Sequence, residues 1–394
     1  MTTTRAAHLS DVASVFNGKT PARDDQREEG HPVLKIKDTD EYGRFRGQHE
    51  SFVEPEFAAK HRDRCIVSGD TLILNAAHNA SHVASKIYTA ESAVDGALAT
   101  GEWLIIRPNR STLDAAFLSH WVRLPDTRLQ LQNIVKGIHL YPKDVARLKF
   151  ALPPLPEQRR IAAILDQADA LRAKRRAALA QLDEMAQAIF AEMFGLLGTT
   201  RHQRSMVSLG KVCDVRDGTH DSPKYVSENG FPLVTSKNVT GGGIDLSTAS
   251  LISEEDYRQI SKRSKVDRGD ILLPMIGTIG SPVIVDQDPQ FAIKNVALIK
   301  FLPTSPTAKY VRAALQSSYF LDFVAERNRG GTQKFISLGD IRSFSLPLPS
   351  HQAQREFNER IEAAEGVAAR FSQSQRDLDT LFASLQHRAF NGEL

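Results

Sequence analysis

Cysteine is nearly missing from this chain of 394 residues: Cys65 and Cys213 are its two copies, far apart, and neither stands in a Cys-x-x-Cys pair. That excludes a disulfide framework and a zinc ribbon, and it fits a reducing compartment. No apolar run approaches the roughly 18 residues of a membrane span, and the N-terminus lacks a basic stretch followed by an apolar one. We therefore expect a cytoplasmic protein. Net charge is also scarce, +3 in all, so any affinity for nucleic acid must come from local clusters rather than the bulk field. Enzymatic signatures are missing too. There is no GxxxxGK[ST] phosphate loop, no GxGxxG before a helix, no GxSxG elbow, no Asn-Pro-Pro-aromatic or Asp-Pro-Pro-aromatic tetrapeptide, and no histidine beside either cysteine in sequence.

What is present is ordinary in composition and unusual in arrangement. A hydrophobic fraction of 41% and a charged fraction of 25% describe a soluble globular protein long enough for two or more domains. The stretch from Leu152 to Gly195 returns near the C-terminus at an offset of 196 residues, placing Gln158-Arg159 on Gln354-Arg355, Leu182-Asp183 on Leu378-Asp379 and Phe194 on Phe390. Upstream, at an offset of 200, Leu9, Val12, Val15 and Gly18 fall on Leu209, Val212, Val215 and Gly218. The chain is thus an internal repeat. It reads as a domain at 1–151, a proline stop and long helix at 152–198, a second domain at 199–345, and a second stop and helix at 346–394.

Each long helix follows a proline-rich stop, Leu152 to Pro156 or Leu346 to Pro349, and then runs free of proline. Apolar or small residues recur at steps of three and four through Ile161, Leu165 and Ala168, then Leu179, Leu182, Ala186, Ile189 and Met193, and again through Phe357, Ile361, Ala364, Ala368 and Phe371, then Leu378, Phe382, Leu385 and Ala389. Some 36 helical residues would span roughly 55 Å, too long for one small domain to cover. We expect the two helices to form an antiparallel coiled coil, relating the halves by a pseudo-two-fold axis. The stems of Arg172 and Arg175 would then cover small or polar partners such as Gln375. The alternative is that each helix packs on its own domain.

Within the two domains, short apolar runs punctuated by Gly, Asn, Asp and Pro predict strands at Val33–Ile36, Thr71–Leu74, Trp103–Ile106, Ile271–Leu273, Val283–Val285 and Val296–Phe301. One modest helix is expected in each copy, at Leu113–Arg123 and Ala308–Arg327. The fold class is α+β. His78 and His82 have the spacing of two zinc ligands on a helix, but their counterparts at the 200 offset, Thr278 and Pro282, point to a loop. We assign no metal and no catalytic residue.

Polar and basic loops recur at matching places in both copies. The first offers Lys19, Thr20, Lys37, Asn75, His78, Asn79, Lys136 and His139; the second offers Thr219, His220, Lys237, Asn238, Thr278, Arg327, Arg329, Thr332, Gln333 and Lys334. These side-chain types pair with phosphates and base edges, and nearby glycines let backbone approach closely. Any one of them could be a solvated surface residue; recurrence favours a binding edge.

The pattern resembles the specificity subunit of type I restriction-modification enzymes over essentially the whole chain. The resemblance is carried by Leu152-Pro-Pro-Leu-Pro-Glu-Gln-Arg159, by Gly331-Thr-Gln-Lys-Phe-Ile-Ser337 leading to Leu346-Pro-Leu-Pro349, and by His387-Arg-Ala-Phe-Asn-Gly392. It departs at Ala353, where the first copy has Glu157, and at Lys136-Gly-Ile-His139, where the second has Gly-Gly-Thr-Gln-Lys. The resemblance implies two target-recognition domains, each reading half of a bipartite, asymmetric sequence in double-stranded DNA. It implies a non-catalytic chain that binds no cofactor and docks two methyltransferase subunits and ATP-driven restriction subunits, with S-adenosylmethionine, ATP and Mg on those partners. Two other readings remain: a coiled-coil scaffold that never touches DNA, and the recognition part of a stand-alone nuclease or methyltransferase.

Overall fold

In a computed structural model of the chain, the described residues are 5–40, 43–195, 197, 206–240, 242–277, 279, 281–286, 288–328 and 335–394. They form two compact units, the first comprising Met1–Arg175 with Ser374–Leu394, the second Arg176–Gln373. Each long helix is 40 residues, Leu155–Phe194 and His351–Phe390, and so contributes a segment to each unit. No helix among the described residues is long and apolar enough to cross a membrane.

The first unit is built on a four-stranded antiparallel sheet in the order Ala13–Asn17, Trp103–Pro108, Thr71–Leu74, Ile87–Thr89. A smaller sheet orders Gln26–Arg27, Phe52–Val53, His31–Leu34 and Leu98–Ala99, its last pair parallel. The second unit repeats both four-stranded sheets in the same strand order. Its larger sheet runs Cys213–Asp217, Val296–Phe301, Ile271–Pro274, Val283–Ile284, and its smaller one Tyr225–Val226, Ser250–Ile252, Phe231–Val234, Ala292–Ile293. In each unit a two-stranded ladder joins the ends of the domain: Arg5–His8 pairs with Lys149–Leu152, and Met206–Ser208 with Ser345–Pro347. The fold is α+β, and the repeat inferred from weak sequence matches is a repeat of topology.

Local chemistry explains where elements differ from their expected bounds. The strand predicted as Val33–Ile36 ends at Leu34, because the Asp38 carboxylate accepts from the Lys35 amide at 2.7 Å and folds Ile36–Asp38 into a 3-10 turn. The helix predicted from Leu113 starts at Ala115, where the Asp114 carboxylate caps the amides of Ala116 and Phe117. The single helix predicted over Ala308–Arg327 is two, Ala308–Gln316 and Ser318–Arg327. Ser317 ends one by donating its hydroxyl to the Ala314 carbonyl at 2.6 Å, and it caps the next. Two further helices, Pro125–Asn133 and Glu254–Ser264, escaped the sequence reading although Ser253 caps the latter, its hydroxyl accepting from the Asp256 amide at 3.1 Å.

Each long helix is fastened to its domain by a buried glutamine. The Gln158 amide oxygen accepts from the Asp114 amide at 2.8 Å, and its nitrogen donates to the carbonyls of Thr112 and Pro153 at 3.0 and 2.8 Å. Gln354 does the same work in the second unit, accepting from Thr307 at 2.8 Å and donating to Pro349 at 2.9 Å. Both side chains are essentially without solvent, so each of these bonds satisfies a group that would otherwise be stranded.

The apolar stripe serves both domain and helix pair. Ile161 and Leu165 are buried in the first core with Phe117, Leu118 and Trp121, and with Phe382, Leu385 and Ala389 of the second long helix. In the first unit the two helical segments run antiparallel, Arg160 reaching the Leu394 carbonyl and Arg172 reaching Asp379. In the second core, Phe190 and Phe194 surround Phe357 at ring separations of 5.8 and 5.3 Å, with Tyr310 against Phe194 at 4.9 Å. Ile361 is buried there and Ile189 packs at its margin. Leu179, Leu182, Phe371 and Leu378 are half-buried along the middle of the helices. The expected partner of Arg172 needs correction: it donates to Asp379 at 2.6 Å and lies 4.3 Å over the Phe382 ring, while Gln375 donates to the same Asp379 carboxylate at 3.0 Å.

Candidate nucleic-acid interface

Among the described residues, loops at the strand ends line a concave surface in each unit. In the first, a cleft of 850 Å3 is lined by Val15, Phe16, Asn17, Arg64, Lys136, Tyr141, Pro142, Lys143, Asp144 and Arg147. Four cations thus face one carboxylate, which Lys136 engages at 2.6 Å. Arg64 is held in place by donating to the Asn17 carbonyl at 3.0 Å. An excess of cations in a concave wall is what a phosphate backbone requires.

In the second unit a groove of 660 Å3 is lined by Thr235, Ser236, Lys237, Asn238, Gly277 and Asn295, with Tyr225, Leu233 and Ile276 among its apolar walls. Asn295 adopts a φ of 55°, the left-handed conformation asparagine tolerates better than most residues. Its amide oxygen lies 2.9 Å from Nδ1 of His220, whose Nε2 is 2.8 Å from Asp217. Arg263 pairs with the other oxygen of that carboxylate. Burial works against the Asp217 charge, but the bonds from His220 and Arg263 outweigh it and hold its pKa below the ordinary value. In turn the bonds to Asp217 and then Asn295 raise the pKa of His220.

The predicted contact residues fall into groups. Lys19 and Lys237 are exposed, as are His78 and His139. Lys136 and Arg327 reach solvent but are engaged internally, Arg327 with Asp340 at 3.1 Å and stacked 3.3 Å over Phe323. Lys37 is paired with Glu50. Asn79 and Thr219 brace their own loops, accepting from the amides of Ser81 and Asp221, while Thr20 ties its loop to another by accepting from the Gly101 amide. The 3-10 turn Ala80–His82, capped by Asn79, breaks the helical face that His78 and His82 would have needed as a ligand pair. Asn75 and Asn238 are buried: one donates to the Gly101 carbonyl, and the other accepts from Thr235 and donates to the Asp245 carbonyl. Both are loop staples whose amides are turned inward. Thr278, Arg329, Thr332, Gln333 and Lys334 lie outside the described residues.

Arg64, Lys143 and Arg147 of the first cleft, and Arg263 and Asn295 of the second unit, were missed. Lys143 and Arg147 are neighbours in one short segment, but Arg64 reaches their cleft only through folding, as Arg263 and Asn295 come together in the second unit. Gly18 and Gly218 were announced by the repeat. A Cβ on either would lie 2.2 Å from a carbonyl oxygen, Thr100 in one unit and Ile293 in the other, so these turns close by an approach that only glycine permits.

A twice-repeated α+β domain with a polar, concave loop surface defines a class of paired recognition modules. The chain belongs to the family of the type I restriction modification DNA specificity domain, whose model matches residues 5–181 and again 204–367. Among curated relatives, the type I restriction enzyme MjaVIII specificity subunit of Methanocaldococcus jannaschii is 25% identical over 274 residues, 65% of this chain and 64% of that protein. The EcoBI specificity subunit of Escherichia coli is 28% identical over 172 residues, 42% of this chain and 36% of the relative. The match therefore spans less than two thirds of either relative. The solved S subunit of a type I restriction-modification system from M. genitalium shares the fold over 99% of this chain and 96% of its own, with a TM-score of 0.54 at 13% identity. A chain solved in work on complex assembly and conformational transition of the type I R-M system gives 0.57 at 19% identity, covering 99% and 98%.

Proposed function

We propose that this chain is the DNA-recognition subunit of a type I restriction-modification complex, each unit reading one half of a bipartite, asymmetric duplex target. The observation that carries this reading is the double match to the specificity-domain family, on two units with the same strand order. The cationic cleft of the first unit and the polar groove of the second support it. Phosphate contacts would orient each unit, and a few base-edge contacts, each good bidentate pair worth roughly 1–3 kcal/mol, would specify.

In this reading the chain is not catalytic. The methyltransferase subunits it docks supply S-adenosylmethionine chemistry, and restriction subunits supply the ATP- and Mg-dependent steps. Because a stacked adenine is out of an enzyme's reach, the methylating partner would flip it while this chain holds the flanks. The cytoplasm is the compartment where such a complex would meet DNA. Gel shifts with the full chain and its methylating partner test the proposal. Retardation of some duplexes over others is expected, and no retardation of any duplex at low salt would favour a scaffold without DNA readout.

A further inference from the structure

We propose that His220 is a positioning residue that sets which end of the Asn295 amide, donor or acceptor, is offered to DNA in the second unit's groove. This rests on the DNA-recognition reading above. The Asp217 carboxylate accepts only, so the His220 nitrogen 2.8 Å from it, Nε2, carries a hydrogen. The other nitrogen, Nδ1, stands 2.9 Å from Oδ1 of Asn295. If the imidazole is protonated, Nδ1 donates to that oxygen, and the NH2 group of Asn295 is left for the groove. If the ring is neutral, Nδ1 is a lone pair, which repels Oδ1 and accepts from an amide turned over. The groove then receives the carbonyl oxygen.

The backbone does not have to move for this exchange. Asn295 is fixed at φ 55°, its carbonyl accepts from the Ser236 hydroxyl at 3.4 Å, and it lines the groove beside Ser236 and Lys237. The charged groups around the histidine are Asp217 from the end of the preceding strand and Arg263 from the helix Glu254–Ser264, with Asp221 its chain neighbour and Lys294 the neighbour of Asn295. Asp217 favours the protonated ring and Arg263 opposes it; the balance lies above the ordinary histidine value of 6.5. In the free protein the His220 side chain is 57% exposed, and water can serve whichever amide end is unpaired. DNA covering the groove removes that water, and a mismatched end then stays stranded.

An amide nitrogen selects acceptors on a base edge, guanine O6 or thymine O4; an amide oxygen selects donors, adenine N6 or cytosine N4. The test is equilibrium binding of the full chain, complexed with its methylating subunits, to duplexes varied one base at a time, at about pH 6 and about pH 9, either side of the histidine range. At one position of one half-site the preferred base should change between the two conditions, with a roughly tenfold swing in relative affinity, the order expected of one such interaction. The other half-site is the internal control. Asn295→Asp, which offers only acceptors, should hold the high-pH preference throughout, and Asn295→Gly, which suits the positive φ, should abolish the swing. Sequence-specific binding with the same preferences at both pH values, or a swing that survives Asn295→Gly, overturns the inference and leaves the recognition reading standing. Absence of preference for any duplex at either pH removes the recognition reading, and the inference with it.

Discussion

A single side chain, Gln158, satisfies one backbone amide and two backbone carbonyls in the first unit, at the junction where the domain becomes a helix. Gln158→Leu keeps the bulk and strands all three groups, so we expect a loss of about 2–4 kcal/mol, read as a lower urea midpoint. Gln354→Leu should act the same way in the second unit. Charge at the loop surface has a different signature. Lys143 and Arg147 line the first cleft and are exposed at its rim. Replacing both by alanine should weaken binding to every duplex about equally and lower the slope of log affinity against log salt by roughly 0.9 for each phosphate no longer neutralised. A change in base preference would instead make them readers of sequence.

At the level of elements, the second long helix is pinned to the helix Ala308–Gln316 through Glu365, which accepts from Lys309 at 2.7 Å and from Arg312. Burial penalises the Glu365 charge, but the two cations more than offset it, and the carboxyl is held below its ordinary 4.5. A depressed acid contributes stability that is complete above that ordinary value and lost as pH falls through the depressed one. Glu365→Gln should therefore cost about 1 kcal/mol near neutrality, discounted for partial exposure, and nothing at acid pH. Urea midpoints of the two proteins should converge as the pH falls below the depressed pKa. In the first unit the corresponding helix surface uses another pair, His120 and Asp166 at 2.8 Å. The docking surfaces are repeated while the side chains that meet across them differ. That is why the long helices and the strands Thr71–Leu74 and Val296–Phe301 were legible from periodicity, whereas side-chain pairing was not. The same division runs through the candidate interface. Lys237 and His220 are recognisable as polar loop residues, but Asn75 and Asn238 have the same chemistry and face inward. Composition names residues able to bind DNA; only the course of the chain decides which way they turn.

For the molecule as a whole, we propose that the long helices act as a spacer between two readers. Seven residues inserted after Arg176, matched by seven after Gln373, would add about 10 Å of helix. The preferred gap in the DNA target should lengthen by about three base pairs, at roughly 3.4 Å each along a strand. Methylation-site sequencing of cells carrying the lengthened chain reads this directly, and an unchanged gap would show that distance is set elsewhere. The two-stranded ladders at the base of each domain have a separate bearing on how such a protein changes over time. Arg5–His8 lies beside Lys149–Leu152, and Met206–Ser208 beside Ser345–Pro347, so the polypeptide goes into each domain and comes out of it at one doorway. Under the proposed function, we expect that a different reading head inserted between the doorposts would be accepted if it closed the same short zipper, presented backbone groups to the waiting glutamine and kept the apolar face that packs on the long helices.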